Sequence, residues 1–414
     1  MTLLEMLADM EYYLDIIKTK WQKTEKAFPS FFSVISKEKK AENEKYLQTV
    51  IDEFHTLLKG FRRIPIGRKK WKQKTLALLK KVLFNEEIIY LHTAMEPAAI
   101  DSLVDEIFEF LRHVRSFAPE LNFENIGQAL RNYIVYTMFK EIHQVNNGFH
   151  MPAFGYSMLY PFTDNYIDSG KCTKQDKAFY NQIIRDKIKG NPVHPISIHQ
   201  TKTCDLLQAI ASNYSKEANS CASELLLMML EAQELSISQQ DKDLPLSYQE
   251  RLNITAYKGG ISVLIDRFFV DKEITEEDLL FYLGFGFFLQ LADDLQDINE
   301  DSNNRHSTLF TFDLHKAPEE GTVNQLLNLV HSLITEYSSG NDRFMKFILS
   351  TCYQLIFISA IQSKEFFFKE YLSKLEDYLP VTLAFLDNLL DNRIEKADNR
   401  LQRKYMKLLD VLIS

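Results

Sequence analysis

The carboxylates between residues 293 and 301 have the types and the spacing best suited to chemistry in this chain. They directly follow an apolar stretch, and they are Asp293, Asp294, Asp297, Glu300 and Asp301. On a single helix, at about 100° per residue, these five side chains fall within an arc of roughly 120°. Like charges one turn apart destabilise a bare helix, so the pattern indicates a bound counter-charge. Aspartate oxygens are hard ligands, and the pattern therefore predicts Mg²⁺ carrying a phosphate group.

A second pair of carboxylates lies far upstream, at Asp164 and Asp168. Side chains four residues apart on a helix point the same way. An aromatic stretch that includes Tyr156 and Tyr160 precedes this pair. Two acidic helix faces of this kind predict one site if they approach each other across a single cavity.

The downstream carboxylates resemble a motif of a known superfamily. Gly286, Gln290 and the aspartates Asp293, Asp294 and Asp297 are similar to the second aspartate-rich helix of the trans-prenyl diphosphate synthases, which belong to the class I isoprenoid synthases. The overlapping stretch from Asp297 to Asp301 also resembles the DxxED motif of squalene and phytoene synthases. Both resemblances point to the same superfamily.

Three further stretches resemble this superfamily in order and spacing over about residues 140–310. Asp164 to Asp168 is similar to its first aspartate motif, and residues 190–195 resemble the Gly-x-Pro-x-x-Pro turn of squalene and phytoene synthases. Lys258, followed by Gly259 and Gly260, stands where trans-prenyl synthases place a lysine that binds diphosphate, and where terpene cyclases break the equivalent helix.

The chain also departs from the pattern of these families. Asn165 replaces the second aspartate of the first motif, and the Arg-Arg-Gly that follows it in prenyl synthases is missing, with Lys171 and Lys174 as substitutes. The chain has no metal-binding triad of the cyclase type.

The resemblance implies an all-α protein, an antiparallel helical bundle around a central cavity, that binds more than one Mg²⁺ ion and a prenyl diphosphate. The implied catalytic and metal-binding residues are Asp164, Asp168, Asp293, Asp294, Asp297 and Asp301. The implied diphosphate-binding residues are Lys258, Lys171, Arg305, Gln290 and Arg251. The residues expected to line the cavity are Tyr156, Tyr160, Phe285 and Phe288.

Three functions fit this reading of the sequence. The first is a prenyltransferase that ionises an allylic prenyl diphosphate and couples it to a second isoprenoid, as squalene and phytoene synthases do. The second is a terpene cyclase that releases diphosphate from one substrate. The third is a non-catalytic helical protein that binds a lipid or a partner.

Charge and composition limit the partners and the compartment. The net charge of −9 argues against nucleic acid as the main partner. Four scattered cysteines without a CxxC pair fit a reducing compartment. The first residues carry early acids and no basic region, so we expect no signal peptide. We therefore expect a cytoplasmic protein, with room for peripheral membrane contact and for a homodimer.

The spacing of apolar residues predicts helices throughout. We expect residues 1–75 to form an N-terminal helical extension with a basic end, packed on a core of residues 76–414. Thr275 to Asp278 predicts a capping box that starts one long helix over residues 276–302. The glycine pair at 259 and 260 predicts a helix break or close approach to a ligand, and Gly284 and Gly286 are expected to open room for substrate.

Overall fold

A computed structural model describes residues 1–61, 67–167, 173–240, 246–311, 320–391 and 399–414. These residues form helices and turns and include no strand, so the prediction of an all-α protein is confirmed. The α-helices are, in chain order, α1 (Leu3–Ala8), α2 (Met10–Lys23), α3 (Lys37–Gly60), α4 (Arg68–Asn85), α5 (Leu91–Ala94), α6 (Pro97–Phe117), α7 (Phe123–Ile142), α8 (Met151–Ile167), α9 (Lys174–Ile188), α10 (Ile198–Ala211), α11 (Lys216–Ser236), α12 (Tyr248–Val270), α13 (Glu276–Gln296), α14 (Ile298–Asn304), α15 (Glu320–Glu336), α16 (Asp342–Gln362), α17 (Lys369–Glu376), α18 (Leu383–Asp391) and α19 (Asn399–Ile413).

The chain divides into two compact units. The first unit comprises Met1–Phe31, Val135–Asn146 and His150–Leu372, and the second comprises Phe32–Ile134, Asn147–Phe149 and Ser373–Ser414. The predicted boundary at residue 75 stays a prediction. Both predicted site motifs belong to the first unit.

Helices α12 and α13 make the most extensive helix contact of the described chain. A side chain at Gly259 or Gly286 would clash with the backbone of the other glycine, so only glycine permits this approach. Helix α12 runs unbroken through Gly259 and Gly260, and the predicted break is wrong. Gly284 likewise packs against Leu333 of α15. These glycines therefore serve helix packing, which corrects the expectation that Gly284 and Gly286 open room for substrate.

The direction of α13 is fixed by contacts at its start and near its middle. Thr275 and Asp278 form the predicted capping box at its start. Asp278 also accepts a hydrogen bond from Arg267 of α12 at 3.0 Å and one from Tyr337 at 2.5 Å. The start of α13 thus lies beside the end of α12. Together with the Gly259–Gly286 contact, this makes the two helices antiparallel.

Helix α8 is also antiparallel to α12. The ring of His150, just before α8, lies 6.2 Å from the ring of Phe269, near the end of α12. Further along α8, the Tyr156 hydroxyl donates to the carbonyl oxygen of Ser262, which lies two turns earlier in α12. Helices α8 and α13 therefore run in the same direction, and their carboxyl-terminal ends lie at the same end of the first unit.

Helix α16 alone among the described helices is long and apolar enough to cross a membrane. Half of its most apolar stretch is buried, and it packs against α13 and α15. This burial and packing are those of a core helix of the first unit.

Candidate active site

Asp294 is the central residue of the candidate site. It lies in the last turn of α13 and is only 7 % exposed. Its Oδ1 accepts a hydrogen bond from the Gln290 side chain at 3.0 Å. Its Oδ2 is buried and has no hydrogen-bond partner among the residues that the structure describes. A buried, unsatisfied carboxylate oxygen is costly, and it is the kind of group that a ligand can satisfy.

The surroundings of Asp294 raise its pKa to about 8, because burial disfavours the charged carboxylate. The hydrogen bond from Gln290 opposes this shift, whereas the negative charges of Asp293 and Asp301 add to it. Lys258 acts in the opposite sense and favours the charged form. The pKa of Asp294 therefore depends on four neighbouring side chains, those of Asp293, Asp301, Gln290 and Lys258.

The backbone around these carboxylates adds to their cost. Helix α13 ends at Gln296 with no basic residue in its last turn. The carboxyl end of a helix carries partial negative charge, so aspartates there are disfavoured. The hydroxyl of Ser363, at the end of α16, donates to the carbonyls of Leu295 and Gln296 and satisfies two of these oxygens. The acids stay in an unfavourable field that a bound cation would relieve.

The sequence predicted that the five carboxylates lie on one continuous helix, and this prediction is wrong. Asp297 is the cap residue between α13 and α14, with a backbone conformation (φ −99°, ψ 11°) outside the regular helix. Asp293 is exposed, whereas Asp297 and Asp301 are half-buried. The chain turns at Asp297, and Asp301 still reaches the field of Asp294 from the second helix.

Two of the predicted diphosphate-binding cations, Arg251 and Arg305, differ in their surroundings. Arg251 is 4 % exposed, and its Nε donates to the hydroxyl of Ser307 at 2.7 Å. Arg305 is exposed and left-handed (φ 59°) at the end of α14, and it forms no ion pair with a described residue. Asp301 instead lies 3.2 Å from the Nδ1 of His306. The role of Arg251 and Arg305 in binding diphosphate stays a prediction.

His306, Ser307 and Ser363 contact site residues but could not be recognised from the sequence. His306 contacts Asp301 because the left-handed turn at Arg305 reverses the chain. Ser363 lies far from α13 in the sequence and meets it only in the folded unit.

The first acidic motif is described only in part. Asp164 lies in the last turn of α8, and nothing is described of its side chain. Asp168 and Lys171 lie outside the described residues. The described residues alone bring together no group of three His, Cys, Asp or Glu side chains that could hold a metal ion. In the described backbone, the end of α8 that carries Asp164 lies at the same end of the first unit as the end of α13 that carries Asp294.

A small cavity lies beside α8. It measures about 40 Å³ and is lined by residues of α8, α9, α10 and α11, including Tyr156, Tyr160 and Met229. The Tyr156 and Tyr160 hydroxyls lie 3.2 Å apart. Phe285 and Phe288 are not among its lining residues; both are buried in the core, where Phe285 packs edge-on against Phe139. The four predicted cavity-lining aromatics therefore occupy two different places in the first unit.

Comparison with known proteins gives few matches. No protein-family model matches the chain, and neither does any curated protein sequence. A solved polyprenyl synthetase from Streptomyces coelicolor A3(2) matches at 12 % identity and a TM-score of 0.26, over 74 % of this chain and 100 % of that one. A solved geranylgeranyl pyrophosphate synthase matches at 13 % identity and a TM-score of 0.28, over 83 % and 98 %. With TM-scores this low, the two matches carry no argument about this chain.

Proposed function

We propose that this protein is a Mg²⁺-dependent enzyme of isoprenoid biosynthesis that ionises an allylic prenyl diphosphate and couples it to a second isoprenoid. The observation that carries the proposal is the Asp294 carboxylate. It is buried at the end of α13, with one unsatisfied oxygen, two further aspartates in its field and Lys258 as the cation beside it. A protein gains nothing in stability from such a group, so its value lies in binding.

The residues present fit Mg²⁺. This ion keeps several waters and needs only one or two carboxylates from the protein, together with oxygens of a phosphate group. Asp294 is the carboxylate that would hold it on the α13 side, with Asp293 and Asp301 adding negative charge nearby, and Asp164 and Asp168 are those that would hold it on the α8 side. Bound Mg²⁺ would supply neutralisation of the charge that develops on the departing diphosphate.

The chain's own residues have three tasks in this reaction. Lys258 donates to diphosphate oxygens, and Gln290 holds Asp294 in position. The allylic C–O bond breaks and its electrons go to the departing oxygen, which leaves an allylic cation. Tyr156 and Tyr160 exclude water and present aromatic faces to that cation. The double bond of the second isoprenoid then attacks this cation and forms the new C–C bond, and the resulting carbocation loses a proton to the released diphosphate.

The cavity beside α8 is smaller than a prenyl chain, so binding requires movement of its lining. Met229 is suited to this because its flexible thioether side chain repacks at low cost.

Coupling is preferred to cyclisation on one structural observation: α12 continues as a regular helix past Lys258, Gly259 and Gly260. The sequence resemblance associates a break at this position with terpene cyclases.

Incubation with C10, C15 and C20 prenyl diphosphates and Mg²⁺ tests the proposal, with released diphosphate and extracted products as the readouts. We expect Mg²⁺-dependent release and a product longer than the substrate. An isomeric hydrocarbon or alcohol of unchanged length would show cyclisation instead. No release with any donor would support the non-catalytic alternative.

Variants locate the activity in the site. Asp294→Asn and Asp168→Asn remove one carboxylate from each motif with little change in shape, and we expect each to abolish turnover. Asp105→Asn is the matched control, because Asp105 is an exposed aspartate of the second unit. Circular dichroism checks that all three variants stay helical. Full activity in both site variants would overturn the assignment.

A further inference from the structure

The second unit contains a strongly basic segment that the proposed reaction does not use. Residues 54–85 contain ten lysines and arginines and no carboxylate. Because the chain as a whole carries −9, its other residues carry a net charge of −19. Such a separation of charge within one chain indicates a surface with its own partner.

Helices α4 and α19 of the second unit carry exposed cations on either side of a shared apolar cluster. Trp71 of α4, Leu58 of α3 and Leu408 of α19 form one buried cluster, against which Phe61 and Tyr405 pack. The Trp71 indole donates to the carbonyl oxygen of Leu57 at 2.8 Å and fixes the start of α4. Exposed cations flank this cluster on both helices. We name them the basic surface: Lys69, Lys70, Lys74, Arg403, Lys404 and Lys407.

No residue of the basic surface forms an ion pair with a described residue. The ion pairs of α4 lie further along the helix, where Lys80 meets Asp101 and Lys81 meets Glu53. The one carboxylate within α19, Asp410, is taken by Arg115 of α6 at 2.8 Å. Uncompensated cations therefore face outward from both helices.

The position of these charges is unfavourable for folding. Helix α4 has no acidic residue in its first turn, where Arg68, Lys69 and Lys70 lie instead. The amino end of a helix carries partial positive charge, which repels cations. A partner of opposite charge would relieve this repulsion.

We propose that the basic surface binds an anionic lipid bilayer. A bilayer touches only the surface that faces it, so the net negative charge of the remaining chain does not oppose contact as it would with a polyanion that wraps the protein. Proteins that bind single-stranded nucleic acid also present exposed aromatic rings on which bases stack. The aromatic rings of this cluster are packed inward, since Trp71 is 8 % exposed and Tyr405 is half-buried against it.

Sedimentation of the full-length protein with lipid vesicles tests this inference. One vesicle preparation is phosphatidylcholine alone, and the other contains about 30 % phosphatidylserine. We expect binding to the second only, with loss of binding as salt is raised from about 0.1 M to 0.5 M, because salt screens the attraction. Equal binding to both vesicles, or to neither, would overturn the proposal.

The variant that tests the surface is Lys69→Glu/Lys70→Glu/Lys74→Glu. We expect its affinity for anionic vesicles to fall at least about tenfold, since each charge near the membrane contributes separately. The control, Lys23→Glu/Lys189→Glu/Lys216→Glu, has the same net charge and changes three exposed lysines of the first unit. It should bind like the unaltered protein.

Two results would refute the role of the basic surface. One is equal loss in the control, which would trace binding to net charge rather than to this surface. The other is capture of single-stranded RNA, lost in the α4 variant, by a protein that ignores anionic vesicles. Thermal unfolding of both variants ensures that the compared proteins are folded.

Discussion

At the scale of single residues, Asp294 shows a conflict between stability and binding. Its carboxyl group is buried, one oxygen has no described hydrogen-bond partner, and its pKa is raised to about 8. Two neighbouring aspartates increase this cost. A group that destabilises the ion-free fold and faces a predicted metal site is expected to become favourable only when a cation binds.

Replacing Asp294 by asparagine should therefore stabilise the protein in the absence of divalent ions. The amide keeps an oxygen for Gln290 and carries no charge, so we expect about 2 kcal/mol of added stability at pH 8 with EDTA present. Denaturant unfolding measures this difference. The same variant should be inactive.

The stabilisation by Asp294→Asn should depend on pH in a definite direction. The Asp294 carboxyl loses its proton near pH 4 in the unfolded chain and near pH 8 in the folded one. Between these values the folded state holds one proton more at this group, so the contribution of Asp294 to stability falls as pH rises from about 4 to 8. The advantage of Asp294→Asn should grow over this range. An advantage that is constant, or that shrinks with rising pH, would contradict the assignment.

The sequence predicted the members of this site better than their environments. Asp293, Asp294, Gln290 and Lys258 could be grouped from a single motif and one upstream lysine. The motif could not tell which aspartate is buried, because burial depends on what packs against α13. The contacts of Arg251 with Ser307 and of Asp301 with His306 depend on the loop after α14, which leaves no periodic signal.

At the scale of elements, the contact between α12 and α13 sets the geometry of the site. It aligns Lys258 with the end of α13 that carries Asp294. Gly259 and Gly286 make this alignment possible because each lies against the backbone of the other. Both helices and the capping box of α13 could be predicted from the sequence, but the function of the glycines could be recognised only from the helix that each of them faces.

Substitution of Gly286 by alanine should separate the two helices. The added methyl group would meet the Gly259 backbone, which cannot yield as a flexible side chain does. We expect a loss of about 2–3 kcal/mol in the free energy of unfolding, measured by denaturant unfolding, and a matching loss of activity.

Gly127 provides the control of opposite sign. It lies within α7, where an added methyl group would approach only the end of the Arg131 side chain, at 3.9 Å. Alanine there should stabilise the protein by about 0.5–1 kcal/mol, because glycine is a poor helix former. If both alanine variants were equally stable, close packing at Gly286 would not be the reason for that glycine.

At the scale of the whole molecule, charge and long-range contacts decide what local patterns cannot. The first 31 residues belong to the first unit, where α2 packs against α12 and α13 and Trp21 meets Phe287 edge-on. The sequence predicts that the N-terminal region packs on a core but not which helices it contacts, because the contact joins segments far apart in the chain. The basic end of the N-terminal region could be recognised from the sequence alone, because charged residues can be counted without knowing what they contact.

Two half-buried histidines of the first unit should make the protein sensitive to acid. Burial lowers the pKa of His143 and of His150 to about 4, and the positive charges of Arg267 and Lys140 add to the respective shifts. In the unfolded chain both titrate near 6.5. At these two groups the unfolded state therefore binds more protons between these values, so their contribution to stability falls as pH drops from about 6.5 to 4.

The size of this effect is about 1 kcal/mol for each histidine after allowance for solvent screening. The double variant His143→Gln/His150→Gln should lose less stability than the unaltered protein when the pH is lowered from 7 to 4. Chemical unfolding at a series of pH values provides the measurement. Identical pH profiles would show that these histidines are not kept neutral by the fold.

Calorimetric titration with inorganic diphosphate, with and without Mg²⁺, measures whether the two acidic motifs form one metal and diphosphate site. We expect binding that requires Mg²⁺ and that is lost in both Asp294→Asn and Asp168→Asn, because the ends of α13 and α8 would hold the ions together. Asp105→Asn should bind as the unaltered protein does. Diphosphate binding that is equally strong without Mg²⁺, or that survives in both site variants, would contradict this expectation.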